Sequence, residues 1–306
     1  MLRFLAYEQA TLYGAQFVSG HLSGGRFMAQ TNTTAFVSSL HVYPVKALHG
    51  LDYQSLTLHT WGAEHDRRWL VTEPDGTFLT QRALPAMACL HATPVPQGLR
   101  LERSGTQACT VPYPAPNTPT HAVRVWKDTI QAQDAGEDAA QWLSTQLGRP
   151  CRLVYMASPE HARLRAIAQT PVPVSFADGY PLLLATTASL ADLNQRLEHP
   201  VPMARFRPNI VIAHNQPWAE DTWRVLKIGT ALLRIVAPCS RCTVTTTDQE
   251  TGLIPNRKEP LATLAQFHRT PKGIMFAQNT LVEQTGTIQI GDEVEILETG
   301  PSNLSI

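Results

Sequence analysis

From Thr34 onward, short runs of strand-forming residues alternate with proline and glycine turns, and this punctuation limits what the chain can fold into. The 306 residues hold 23 prolines against 18 glycines, a balance that breaks long helices and favours many short elements. Ala35–Val45 alternates loosely, and Leu56-Thr57-Leu58 repeats the period of two that puts alternate side chains on one face of a strand. Arg68–Thr72 and Thr77–Gln81 flank the turn Glu73-Pro74-Asp75-Gly76. Ala86–Ala92 and Leu99–Glu102 flank Pro96-Gln97-Gly98, so both segments read as hairpins. Ser104–Thr120, rich in Pro, Thr and Ser, reads as a surface loop, and Val123–Gln133 as strand. Gly136–Leu147 places Ala139, Trp142, Leu143 and Leu147 on one helical face, with Gly148 as its stop. Cys151–Met156 is a further strand.

Residues 157–175 have weak periodicity and read as a linker between a domain at 34–156 and another at 176–300. Residues 1–33 match none of these elements and read as an N-terminal extension. In the second half, Pro181–Ala185, Ile210–Ile212, Val225–Ile228, Leu232–Val236 and Thr243–Thr247 read as strands, and Thr287–Ile290 with Val294–Leu297 as a hairpin turning at Gly291-Asp292. Ser189-Leu190-Ala191-Asp192 resembles a capping box opening a helix, and Pro260–His268 is a short amphipathic helix. Many strands on short connections, with a few single helices, predict a β-rich α+β fold of two barrel-like domains, because closure removes exposed edges.

Lys+Arg and Asp+Glu each number 25, so no global field marks a nucleic-acid or membrane partner, and any anion site must be built locally. No stretch approaches the roughly 20 apolar residues of a membrane span. Five scattered cysteines, and an N-terminus without the basic start and apolar core of a signal peptide, point to a reducing, cytoplasmic setting.

Chemistry concentrates in a few short groups. Pro238-Cys239-Ser240-Arg241-Cys242 contains a C-x-x-C pair. A structural zinc site needs two further ligands, and neither a second C-x-x-C nor H-x3-H follows. A thioredoxin-type pair belongs at a strand-to-helix junction, whereas both flanks here read as strands. Two buried small hydrophobes, or one thiolate for a soft metal beside Arg241, remain as readings. Arg205-Phe206-Arg207-Pro208-Asn209 reads as an incipient strand with both arginines on one side, either a solvated face or a phosphate clamp. Tyr43-Pro44-Val45-Lys46 and Asp66-Arg67-Arg68-Trp69 are ordinary when taken alone. No H-E-x-x-H, G-x-S-x-G, Walker or G-x-G-x-x-G pattern occurs, which leaves hydrolase, kinase and dinucleotide readings without support.

Taken in order, these groups resemble a known family. YPVKALHG (Tyr43–Gly50), DRRWLVTEPDGTFLTQR (Asp66–Arg82) and FADGYPLLLATTASLADLNQRL (Phe176–Leu197) are followed by RFRPNIVI (Arg205–Ile212), AEDTWRVLKIG (Ala219–Gly229) and PCSRCTVTTTDQETG (Pro238–Gly252). This series resembles proteins with an N-terminal MOSC β-barrel domain followed by a MOSC domain, such as the mitochondrial amidoxime reducing component and the molybdenum cofactor sulfurase C-terminus. The resemblance runs from about Thr34 to Leu297. It implies a molybdenum–molybdopterin cofactor, with Cys242 as the protein ligand to the metal and the catalytic thiolate. It assigns Lys46, Arg67, Arg207 and Arg241 to the pterin phosphate and Asn209 to a polar contact. Gly179, Tyr180 and Ser240 join them as cofactor-binding positions. Ala47 stands where the family often has Ser, and Asn279 where the amidoxime reducing relatives have Tyr. Asp248 and Thr245–Thr247 are candidates for supporting the metal ligand.

The implied function is reduction of small N-hydroxylated substrates by a molybdenum oxidoreductase that uses no pyridoxal phosphate. The five cysteines form no four-cysteine iron–sulfur motif, so electrons are expected from an external ferredoxin- or flavoprotein-like donor. The alternative is a molybdenum cofactor or sulfur carrier in which Cys242 or Cys239 bears the cargo. No nucleic-acid polymer is expected as a partner.

Overall fold

Strand Phe36–Val42 pairs antiparallel with Ile210–Ala213, so the first strand joins a sheet built mainly by the second half of the sequence. The computed structural model describes residues 34–167 and 169–305, and the expected extension at 1–33 lies outside the described residues. The main sheet runs in the order Leu51–Tyr53, Phe36–Val42, Ile210–Ala213, Leu182–Thr186, Gly273–Gln284, Ala231–Ser240, Trp223–Ile228 and Val294–Thr299. Leu182–Thr186 and Ile210–Ala213 lie parallel, which requires a crossover, and helix Thr187–Arg196 supplies it. The last strand returns to the first: Val294 donates its N–H to the Ala35 carbonyl and Val37 donates to Asp292. That contact closes the sheet on itself and leaves fewer free edges.

Alternation of apolar residues fills the interior. Leu40, Leu184, Ile210, Leu226 and Leu233 meet Leu56, Leu58 and Ile288, which come from a three-stranded sheet of Ser55–His59, Gly286–Gln289 and Gly62–Ala63. A separate core gathers Leu99, Leu101 and Val111 from the three-stranded sheet His91–Val95, Gly98–Glu102 and Cys109–Pro112. Helix Glu137–Leu147 packs Ala139 and Leu143 into this core and stops at Gly148, whose φ of 67° is the left-handed conformation glycine tolerates best. Trp69–Thr72, Arg152–Tyr155, Asp128–Asp134 and Thr120–Val125 form a further four-stranded sheet. The β-rich α+β class and its barrel architecture agree with the expectation from the sequence.

Several local expectations are corrected. Thr243–Thr247 is no strand; Thr243–Thr246 forms a single 3-10 turn, with Cys242 at its cap. Residues Pro85–Cys89 also form a 3-10 turn, and the first arm of that hairpin is His91–Val95. The loop Ser104–Thr120 contains strand Cys109–Pro112, and the stretch 157–175 contains a one-turn helix and the hairpin Leu164–Ile167 with Thr170–Pro173. Val123–Gln133 is two strands turning at Trp126-Lys127, with Trp126 at φ 58°. The helix expected to start at Ser189 starts at Thr187, two residues earlier, because Thr186 caps it with Oγ1 accepting the Ser189 N–H. The long central strand Gly273–Gln284 escaped a hydrophobic-pattern reading because Gln278 and Thr280, both fully buried, interrupt its apolar run. Gln278 is satisfied within the interior, donating to Asp221 Oδ1 at 2.7 Å and accepting from Asn303 Nδ2 at 3.1 Å.

Beside the Thr186 cap, Glu220 is buried with one carboxyl oxygen on Thr186 Oγ1 at 3.0 Å and the other without a partner. Burial pushes its carboxyl up to about 7, against the hydrogen bonds that would lower it. A raised carboxyl favours the protonated folded state, so its penalty is absent at low pH and grows as pH rises from its unfolded value of about 4.3 through 7. Glu220→Gln is expected to flatten the fall in stability between those pH values, a fall on the order of 3 kcal/mol, measured by denaturant unfolding as a function of pH. Leu40→Ala, in the strand by which the first half of the sequence joins the main sheet, is expected to cost about 2–5 kcal/mol and to lower a single cooperative transition.

Candidate active-site cleft

A cleft of ≈ 180 Å³ opens over one end of the closed sheet, and all nine positions singled out in the sequence line it: Lys46, Arg67, Gly179, Tyr180, Arg207, Asn209, Ser240, Arg241 and Cys242. The sheet order brings them together. Leu182–Thr186 and Ile210–Ala213 are neighbours, so the segments leading into them, which carry Gly179-Tyr180 and Arg207–Asn209, come side by side. Strand Ala231–Ser240 delivers Ser240, Arg241 and Cys242 from across Gly273–Gln284. Gly273 is required there: its φ is 135°, and an added Cβ would stand 2.4 Å from Ser240 Oγ.

The floor is cationic and rests on Tyr43. This ring is buried, and the guanidinium carbons of Arg207 and Arg67 lie 4.2 and 4.6 Å from its centroid. Gly50 makes room for the ring, since a Cβ at that position would meet Tyr43 Cε1 at 2.5 Å. Burial pushes the Tyr43 phenol up to about 12 although both arginines oppose the shift, and its hydroxyl donates to the Pro208 carbonyl at 3.0 Å. Arg67 and Arg207 have φ of 49° and 55°, and Ala47 beside them 69°. Left-handed backbone at three non-glycine residues around one cleft is strain that the packing holds in place.

The three buried cations are compensated unequally. Arg67 pairs with Asp66, which more than offsets the effect of burial and raises the guanidinium further. Lys46 Nζ reaches Asp178 at 2.6 Å and the Phe176 carbonyl at 2.8 Å, yet burial still lowers it. Among the described residues no carboxylate lies within ion-pair distance of Arg207, which is 9% exposed. Burial brings this guanidinium down to about 10, and its Nη2 is buried without a partner. Arg241 Nε is likewise buried and unpartnered, while its Nη1 points to Cys239 Sγ at 3.0 Å and its Nη2 donates to the Phe206 carbonyl. Buried unpaired N–H groups are costly, so a site built this way is suited to an anion.

Asn209 plays a different part. It is fully buried, and its Oδ1 accepts from the Leu183 N–H and Arg67 Nη1 while its Nδ2 donates to the His41 carbonyl and Asp66 Oδ1. Its amide is saturated by the protein and fixes the Asp66–Arg67 pair against two strands. At the rim, Cys242 is exposed, with Arg82 Nη1 3.8 Å from its sulfur, and Cys239 is half-buried. Arg82 stacks at 4.5 Å on Trp126, whose indole N–H donates to Asp178.

The expectation that Arg205 and Arg207 share a strand face is corrected. Met203–Arg205 is a 3-10 turn and Arg207 is left-handed, so strand alternation does not apply. Arg205 instead donates to the Thr245 and Thr246 carbonyls and pairs with Asp248 at 3.2 Å, stapling the turn behind Cys242. Asp248 and Thr245–Thr247 therefore brace the backbone and do not line the cleft. Sequence reasoning gave no role to Tyr43, Gln81, Arg82, Asp178 and Gln249, although each lies inside one of the ordered motifs, and Trp126 lies outside all of them. Their common signal is three-dimensional: polar or aromatic side chains whose partners lie tens of residues away.

A closed barrel with a strained, cationic cleft and a thiol at its rim is the setting in which family membership becomes clear. The chain belongs to the MOSC family: the MOSC N-terminal beta barrel domain matches residues 34–150 and the MOSC domain matches residues 171–295. Mitochondrial amidoxime-reducing component 1 of Mus musculus is 37% identical over 279 residues, 85% of this chain and 82% of that protein. The Homo sapiens protein of the same name is 36% identical over 292 residues, 89% and 85% of the two chains. Molybdenum cofactor sulfurase of Oryza sativa subsp. japonica is 29% identical over 90% of this chain but only 37% of that protein.

Asn209→Ala would leave the Leu183 N–H and His41 carbonyl without partners in the interior. It is expected to destabilise the fold by about 2–4 kcal/mol in denaturant unfolding. Unchanged stability would contradict the role given to this amide.

Proposed function

We propose that the cleft holds a molybdenum–molybdopterin cofactor and that the chain reduces small N-hydroxylated molecules with electrons from a separate donor. One observation carries the reading: a buried, carboxylate-free guanidinium with an orphaned N–H lines the same cleft as an exposed thiol. The donor set fits such a group at both ends. Arg207, Arg67, Lys46 and Arg241 suit its phosphate, because guanidinium forks bind phosphate through paired hydrogen bonds. Cys242 offers a soft sulfur ligand of the kind molybdenum takes alongside dithiolene sulfurs. Ser240, Gly179 and Tyr180 line the wall between them. Asn209 acts through Arg67, holding it in its left-handed position. The relatives named amidoxime-reducing component support the substrate class.

When bound, the cofactor supplies two-electron redox chemistry. Converting N–OH to N–H consumes two electrons and two protons and releases water, so the chain needs a reductant. Its own residues bind, orient and exclude water, and no flavin, haem or iron–sulfur motif in the sequence gathers electrons from NAD(P)H. A ferredoxin- or flavoprotein-like partner fills that role in this reading. A reducing, cytoplasmic setting is part of this reading, while the amidoxime-reducing relatives carry mitochondrial in their names. Among the described residues no helix is long and apolar enough to cross a membrane.

Two outcomes are expected. Cys242→Ser loses molybdenum and turnover while Cys239→Ser is milder, as read by metal content and rate in each variant; equal effects would favour a joint role for the two thiols. The purified chain with NAD(P)H alone turns over nothing, whereas reduced viologen supports reduction of an amidoxime or N-hydroxylated base. A molybdenum-loaded chain inert with reduced viologen across several such substrates would favour a carrier.

A further inference from the structure

Beneath Arg207 lies a pair of buried amides, Gln81 and Gln249, exposed by only 1% and 3%. Each donates to the other's carbonyl oxygen at 3.0 Å. The second N–H of Gln81 reaches the Ala47 carbonyl at 2.8 Å, and that of Gln249 the Thr247 carbonyl at 3.1 Å. With all four amide protons committed, the network admits one orientation, and Gln249 Oε1 must face Arg207 Nη1, which it meets at 3.0 Å.

We propose that Gln249, locked by Gln81, is a positioning residue that holds Arg207 on a neutral acceptor so that its full charge remains available to the anionic end of a cleft ligand. The contrast within the site carries the argument. Lys46 and Arg67 each have a carboxylate partner, Asp178 and Asp66, whereas Arg207, also shielded from water and stacked on the Tyr43 ring, has this neutral amide as its side-chain hydrogen-bond acceptor. A carboxylate at position 249 would satisfy the guanidinium and remove the attraction for a second anion; an apolar residue would leave the charge but release its direction. The lock also joins the two halves of the sequence, since Gln81 and Ala47 come from the first and Gln249 and Arg207 from the second. The lock on the acceptor forms only when both are docked.

This inference rests on the anion-cradle reading of the cleft, and the test separates the two. Inorganic pyrophosphate is titrated calorimetrically into the full chain from a cofactor-deficient host, with thermal unfolding as a check on folding. Gln249→Glu is expected to weaken binding by about tenfold or more, the scale of one charged hydrogen bond. Gln249→Met should stay within a few-fold of the wild type. Adding Gln81→Lys to Gln249→Glu restores the net charge and should recover most of the affinity. Gln249→Glu binding as tightly as the wild type, or Gln249→Met losing as much as Gln249→Glu, would overturn the proposal and leave the amide a merely structural role. Pyrophosphate binding that is absent, or equal in the wild type and Arg207→Met, would instead sink the cradle reading and this proposal with it. Should Gln249→Glu fail to fold, Gln249→Met decides against the wild type and Arg207→Met: a loss of a few-fold, well short of that in Arg207→Met, supports the proposal, and affinity equal to the wild type or a loss equal to that of Arg207→Met overturns it.

Discussion

The site is organised by two guanidinium groups held within 4.6 Å of the centroid of one buried tyrosine ring. Like charges repel, and burial costs each of them hydration, so Arg67 and Arg207 stay together only because the ring's π face, Asp66 and the Gln249 amide share the load. Most of the local architecture serves this arrangement. Gly50 clears space for the ring, Asn209 fixes Asp66, and the left-handed backbone at Arg67 and Arg207 aims their side chains. Strain of this kind persists only where the surroundings over-determine it.

The barrel explains how so many distant residues reach one place. Strand Phe36–Val42 sits beside Ile210–Ala213, which brings Tyr43 to the Pro208 carbonyl across more than half the chain. The parallel pair Leu182–Thr186 and Ile210–Ala213 aligns two entry segments on the same side of the sheet. Loop-borne function on a rigid strand scaffold follows, with the 3-10 turn Thr243–Thr246 stapled by Arg205 so that the exposed thiol of Cys242 rests on a fixed backbone.

Much of this was legible in the sequence, for identifiable reasons. The hairpin turning at Gly98 was readable, as were helix Glu137–Leu147 and its Gly148 stop, because local propensity and tertiary demand agree there. The hairpin expected at Gly291-Asp292 does not form, since Gly286–Gln289 pairs with Ser55–His59 and Val294–Thr299 with Trp223–Ile228, and Thr77–Gln81 contributes only isolated bridges to its neighbours. Gly273–Gln284 was not readable, since its buried Gln278 mimics a loop residue until Asp221 and Asn303 are seen to pair with it. Nor was the turn after Cys242: Thr243-Val244-Thr245-Thr246 is strand-prone by composition, and carbonyl bonds to Arg205 and side-chain bonds back onto the turn override that preference. The nine cleft residues came from ordered motifs that resemble the family's, but Gln249, Gln81 and Trp126 depend on partners that no one-dimensional pattern encodes.

A cationic floor and a soft sulfur in one cleft make a definite demand on what fills it. The most direct measurement is the molybdenum and pterin content of the chain purified from a cofactor-producing host, by elemental analysis and by fluorescence of the released, oxidised pterin. The account predicts both in equal amounts, approaching one per chain. A folded protein from a competent host that carries neither, or that carries zinc in their place, would contradict it.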